Sequence, residues 1–162
     1  MKAIKLPCGK PAPKQDPGTE QRLEQLHQRL CTYLESQKLK YSEQRWKIAK
    51  YVLESRGHYN AQAIVKEVTQ KHPEIGPATV YRNLELLCDA KVIRETLVDA
   101  KGNAVYEGYD EEHHDHIVCL DCNQIFEFHD KEIEKLQEKV AKKMAFKQVR
   151  HRHIIYAKCE KL

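Results

Sequence analysis

A chain of 162 residues is long enough for one large domain or two small ones, and an apolar fraction of 41% permits only modest cores. The 28 Lys and Arg against 24 Asp and Glu leave a net charge of +4, mild enough to admit a nucleic-acid partner without requiring one. No apolar run approaches the roughly 18 residues of a membrane span and Met1 to Lys14 has no apolar centre of the secretory kind, so a cytoplasmic protein with no membrane partner is expected.

Pro7, Pro11, Pro13 and Pro17, with Gly9 and Gly18, mark residues 1–18 as a flexible arm. From Thr19 the period becomes helical, with Leu23, Leu26, Leu30 and Leu34 three or four residues apart on one face. A second helix is expected from an N-cap at Ser42 to Glu54, presenting Trp46, Ala49, Val52 and Leu53 and ended by Gly57. Asn60 is placed to cap a third helix carrying Ala61, Ile64, Val65 and Val68. His72-Pro73 and Gly76-Pro77 then make a short connection to a fourth, from about Pro77 to Ala90. That helix turns Val80, Leu84 and Leu87 inward and Tyr81, Arg82 and Glu85 to solvent.

The period then falls to two. Val92–Val98 and Ala104–Glu107 read as strands around the turn Asp99-Ala-Lys-Gly-Asn103. Helices followed by a hairpin make a winged helix-turn-helix over residues 19–107, in which the fourth helix is the one expected to enter a DNA major groove. Thr79, Tyr81, Arg82 and Asn83 lie near its start, where Arg suits guanine or phosphate, Asn suits adenine and an aromatic ring suits a thymine methyl. Lys40, just ahead of the second helix, is a candidate for phosphate or minor groove. Basic residues cluster in this half, at Lys38, Lys40, Arg45, Lys47 and Lys50, and acidic and histidine residues cluster after Glu107.

Residues 108–112 read as a hinge into a second α+β unit over 113–162. Its expected strands are His116–Leu120, Gln124–Phe128 and Val149–Lys158, with a helix whose face is Ile133, Leu136, Val140 and Met144. A unit this small usually needs metal or oligomerisation to be stable. His113-His114-Asp115-His116 is followed by Glu127 and His129. Strand alternation sends His114 and His116 one way and His113 and Asp115 the other, so one segment can feed two sites. Imidazole with carboxylate suits Fe(II), Zn(II), Mn(II) or Co(II). Cys119 and Cys122 have zinc-knuckle spacing, and Cys159 can return to them along the last strand as a third thiolate of a structural zinc group. Buried or incidental cysteines are the alternative to that zinc reading. Cys88 reads as a core residue, and Cys8 and Cys31 look ordinary. A zinc hydrolase built on His114, His116 and Glu127 would need an open coordination position and a general base, and there is no H-E-x-x-H.

From about Leu39 to Cys159 the chain resembles the ferric uptake regulator superfamily, on the stretches Gly76-Pro-Ala-Thr-Val-Tyr-Arg-Asn-Leu84 and His113-His-Asp-His-Ile-Val-Cys-Leu-Asp-Cys122. The resemblance implies a homodimeric, metal-dependent repressor that binds palindromic A·T-rich double-stranded DNA. It also implies a regulatory metal held by His58, Glu107, His114, His116 and Glu127, and a second metal held by His113, Asp115, Glu134 and His151. Tyr81 and Arg82 match DNA-contacting helix positions, and Lys40 a minor-groove lysine. In two respects the chain departs from the family pattern. It ends at Leu162 without the second cysteine pair with which many relatives complete a zinc site, and its N-terminal extension runs to about Gln37. Zinc-sensing relatives tend to carry a thiolate where Glu107 stands, and peroxide-sensing ones aspartates at Glu107 and Glu127. Fe(II) is therefore the expected regulatory metal, with Mn(II) or Zn(II) as alternatives and Zn(II) at a second or structural site.

Overall fold

The computed structural model describes residues 19–55, 57–109 and 113–159. The arm expected over 1–18, Cys8, and residues 110–112 of the expected hinge lie outside them. The described residues fall into two compact units, 19–109 and 113–159. No described helix is long and apolar enough to cross a membrane.

The first unit comprises α1 (Thr19–Ser36), α2 (Glu43–Ser55), β1 (Tyr59–Asn60), α3 (Ala61–Lys71), α4 (Pro77–Asp89), β2 (Ile93–Val98) and β3 (Ala104–Gly108). Its core is the sum of the helix stripes: Leu26, Leu30 and Leu34 of α1, Ile48, Ala49, Val52 and Leu53 of α2, Ile64 and Val68 of α3, and Val80, Leu84 and Leu87 of α4. Asn60 caps α3 by accepting a hydrogen bond from the Ala63 N–H, as its position suggested. At the start of α4, Gly76 offers no side-chain cap; Pro77 instead takes the first helical position, where its missing N–H is no loss, and fully buried Ile75 anchors the turn. The three-stranded sheet runs β1-β3-β2, all antiparallel, with a bulge between Glu95 and Leu97. The two-residue β1 is too short to leave a sequence signal.

One side chain organises the hairpin turn. Asp99 is buried, and its Oδ1 accepts from the N–H groups of Lys101 and Asn103, each at 2.9 Å. The Asn103 side chain and, from outside the turn, Asn60 also donate to it. Gly102 takes the left-handed conformation at φ 83° that closes the loop. Asp99→Ala leaves several partly buried donors without their acceptor, so a stability loss of about 2 kcal/mol is expected. For a unit of this size that is about 10 °C in Tm, read by thermal denaturation, and an unchanged Tm would contradict this account of the turn.

The second unit comprises β4 (Asp115–Cys119), β5 (Ile125–Phe128), α5 (Lys131–Lys143) and β6 (Ile154–Ala157), with sheet order β5-β4-β6. β4 pairs antiparallel with β5 and parallel with β6, so α5 lies in the crossover. Asp130 caps α5 by accepting from the Glu132 and Ile133 N–H groups. The last strand is shorter than the expected Val149–Lys158. Only Ile154–Ala157 finds partners, opposite His116–Cys119, while residues 144–153 form an irregular return that includes Ala145 at φ 63°. No residue of α5 is buried, and Leu136, Val140 and Met144 are 60%, 52% and 65% exposed.

Candidate metal centres and nucleic-acid interface

In the first unit, sheet register brings together two residues far apart in sequence. Tyr59 pairs with Tyr106 and Asn60 with Val105, so His58 stands at the next position along, opposite Glu107. The His58 Nε2 to Glu107 Oε2 distance is 2.8 Å, with His58 nearly and Glu107 fully buried. Arg94, the β2 partner of Glu107, donates from Nε to Oε1 at 2.5 Å. A carboxylate removed from water requires such partners, and Arg94 on one oxygen with His58 on the other meets that requirement. Because Arg94 joins Glu107 only through strand pairing, it carries no local sequence signal.

In the second unit, the expected alternation separates the histidines into two sets. The His114 and His116 rings lie 4.8 Å apart, centroid to centroid. His116 is buried and pairs across the sheet with Glu127, which is exposed. His113 and Asp115 instead meet Glu134 from α5 and His151 from the return before β6. There, Glu134 Oε1 is 3.3 Å from His113 Nε2 and 3.2 Å from His151 Nε2, while Asp115 Oδ1 is 3.6 Å from both nitrogens. These spacings approach the edge of a tetrahedron, roughly 3.3 Å, whose centre lies about 2.0–2.1 Å from nitrogen and oxygen ligands. Both Asp115 oxygens and His151 Nε2 are buried without a hydrogen-bond partner, which native proteins rarely tolerate. A divalent cation would satisfy them, and the four residues fit one. The Gln148 amide lies 2.8 Å from His151 Nδ1 and orients that ring, a contact absent from the sequence reading.

The thiolate group also assembles, with the sulfurs of Cys119, Cys122 and Cys159 all within 4.8 Å of one another and Cys119 to Cys159 at 3.2 Å. Hydrogen bonds, foremost from the Cys122 backbone N–H and next from the Cys159 thiol, lower the Cys119 pKa to about 7. That favours the metal-binding thiolate form. Cys88 is the opposite case: it packs against the core, and burial pushes its thiol up to about 11.

On α4, Tyr81 and Arg82 are exposed and Thr79 is half-buried. Asn83 faces its neighbours more than solvent, since its Oδ1 accepts from Arg45 Nε at 2.8 Å and its Nδ2 donates to the Thr79 carbonyl at 2.7 Å. Arg45 also donates to the carbonyl of exposed Lys40 at 3.1 Å, so this one guanidinium ties the segment before α2 to the start of α4. Its role was not legible from charge alone.

Residues 36–159 match the model of the Ferric uptake regulator family. The ferric uptake regulation protein of Campylobacter jejuni is 36% identical over 123 residues, 75% of this chain and 78% of that protein. Among solved structures, the Helicobacter pylori ferric uptake regulator Fur, described as having three functional metal binding sites, superposes with a TM-score of 0.78 at 34% identity, covering 86% of this chain and 92% of that one. The peroxide stress regulator of Campylobacter jejuni superposes at 0.60 with 26% identity, covering 86% and 98%.

Proposed function

From the chain's membership of the ferric uptake regulator family of metal-responsive regulators, we propose that it is a cytoplasmic Fe(II)-sensing transcriptional repressor. When metal-loaded it binds palindromic A·T-rich double-stranded DNA as a homodimer. Membership also sets aside the zinc-hydrolase alternative. Residues 19–107 are the DNA-binding domain, 108–112 the hinge, and 113–162 the dimerisation and metal-binding domain.

The observation that carries this reading is the antiparallel β1–β3 register, which brings His58 beside Glu107 in the first unit. Together with His114, His116 and Glu127 of the second unit, these residues form the regulatory set. A cation held by ligands from both units favours one relative orientation of the two DNA-binding domains, and the operator binds that orientation better. By linkage, DNA tightens metal binding by the same factor. His113, Asp115, Glu134 and His151 hold a second metal, and Cys119, Cys122 and Cys159 contribute to a structural Zn(II) site. Three ligand groups agree in number with the three functional sites of the Helicobacter pylori relative. Lys40, Thr79, Tyr81 and Arg82 face DNA, with Asn83 acting through Arg45 as well as directly. Exposed Tyr81 and Arg82 on a helix that opens with Gly76-Pro77 support that assignment.

The test is anaerobic binding to a labelled palindromic A·T-rich duplex at fixed salt, with Fe(II), Mn(II) and Zn(II) restored after chelation. Metal should raise affinity by about 5- to 150-fold, and the combined substitution His114→Ala with His116→Ala should remove that gain while leaving the fold. A metal response that survives both substitutions overturns the mechanism. If Fe(II) with stoichiometric peroxide oxidises a ligand histidine and releases DNA, the peroxide-sensing reading suggested by the Campylobacter jejuni peroxide regulator replaces the Fe(II) one.

A further inference from the structure

The ligand group of the second unit has a neighbour that belongs to none of the three sets. Asp115 has a side chain only 1% exposed, and its two oxygens are divided between different partners. Oδ1 lies 3.6 Å from both His113 Nε2 and His151 Nε2, whereas Oδ2 lies 3.8 Å from His153 Nδ1. That nitrogen is buried and, like both carboxylate oxygens, has no hydrogen-bond partner. His153 is also outside the four residues whose ligand atoms lie within 4.8 Å of one another.

Its place is well determined. The His153 carbonyl accepts from the His116 N–H at 3.1 Å, immediately before the β4–β6 ladder, and its ring stands edge-on to Phe128 at 5.9 Å. A cation beside Oδ1 would answer one unsatisfied oxygen of Asp115 and leave the other, and an unpaired buried carboxylate oxygen is costly. His153 Nδ1 is the group that faces it.

We propose that His153 is a positioning residue for a metal held by His113, Asp115, Glu134 and His151, its Nδ1–H donating to Asp115 Oδ2 so that Oδ1 is presented to the cation. The inference rests on the reading of these four residues as a metal site. The 3.8 Å separation is longer than a hydrogen bond, and an approach of about 1 Å converts it into a charge-assisted one. A carboxylate whose second oxygen is engaged coordinates through one atom. That keeps the set at four ligands, which suits Zn(II) or Co(II) better than cations that take bidentate carboxylates and more oxygens. Outer-shell partners of this kind are worth about 10- to 100-fold in metal affinity.

The experiment titrates the full-length protein with Co(II), using the spectral difference between wild type and His151→Ala to isolate this site. His153→Leu should weaken Co(II) there by about 10- to 100-fold while the saturated ligand-field spectrum stays the same, because no ligand has been lost. His153→Asn, whose amide nitrogen stands where Nδ1 does, should restore affinity. The inference is overturned if His153→Leu binds Co(II) as wild type does, including when only the apo-protein melting temperature falls. It is likewise overturned if Asn and Leu weaken binding equally, or if the saturated spectrum changes and so identifies His153 as a ligand. If His151→Ala leaves Co(II) binding unaltered, the site reading itself fails, and the inference fails with it.

Discussion

Val140→Glu is expected to convert the protein to a monomer and to lower its affinity for a palindromic operator by about 100- to 10,000-fold, the range lost when two linked half-site contacts become independent. Leu136, Val140 and Met144 recur every four residues and so share one face of α5, and each is more than half exposed. A helix with no buried residue contributes no side chain to the core of its own unit, and an exposed apolar stripe of this kind marks an association surface. Specific protein interfaces bury about 1,600 Å² in total, and a carboxylate placed within one is left without compensation. Since Val140 is more than half exposed and lies outside the buried core, circular dichroism should be unchanged. Sedimentation gives the oligomeric state, and gel shifts on a full palindrome and on a half-site separate lost avidity from lost contact. A Val140→Glu protein that sediments as a dimer would mean that α5 is not the interface.

Glu107→Ala is expected to destabilise the metal-free protein by about 3 kcal/mol, at the low end of the range for breaking a buried ion pair because Arg94 reaches solvent. The same change should abolish the response of DNA binding to metal. Fully buried Glu107 accepts from Arg94 on one oxygen and faces His58 on the other, so its loss leaves a guanidinium and an imidazole without their acceptor. Glu107→Gln separates the two effects: an amide oxygen still accepts from Arg94 and preserves most of the stability, but the anion proposed to bind metal is gone. Urea denaturation after chelation measures the first effect and DNA titration with and without metal the second. Wild-type stability in Glu107→Ala would show that the contacts of Glu107 with Arg94 and His58 contribute nothing to the fold.

Local periodicity was enough to locate the five helices among the described residues, and the hairpin. The leucines of α1, the Val80-Leu84-Leu87 stripe of α4 and the Asp99 to Asn103 turn each announce themselves within a few residues. Strand alternation likewise foretold that His113 and Asp115 would part from His114 and His116. What composition and spacing could not supply was register. His58 with Glu107, Arg94 with Glu107 and Arg45 with Asn83 are contacts between distant segments, and only the family resemblance pointed to His58, Glu134 and His151. His153 was not singled out at all, because its meaning depends on Asp115 facing it from β4. The overlong last strand was a failure of the same kind, because a β-strand exists only where a partner strand faces it.

The parallel pairing of β4 with β6 also imposes an order in time. The central strand β4 is synthesised before β5 and α5, yet half of its hydrogen-bonding edge waits for β6, and so do His151 and Cys159. Contacts of such long sequence separation form late. On the ribosome, the helical N-terminal unit is able to fold while the C-terminal sheet remains open, in the domain-by-domain manner of growing chains. The α4 surface is therefore complete before the group of His113, Asp115, Glu134 and His151, which assembles only on the finished sheet.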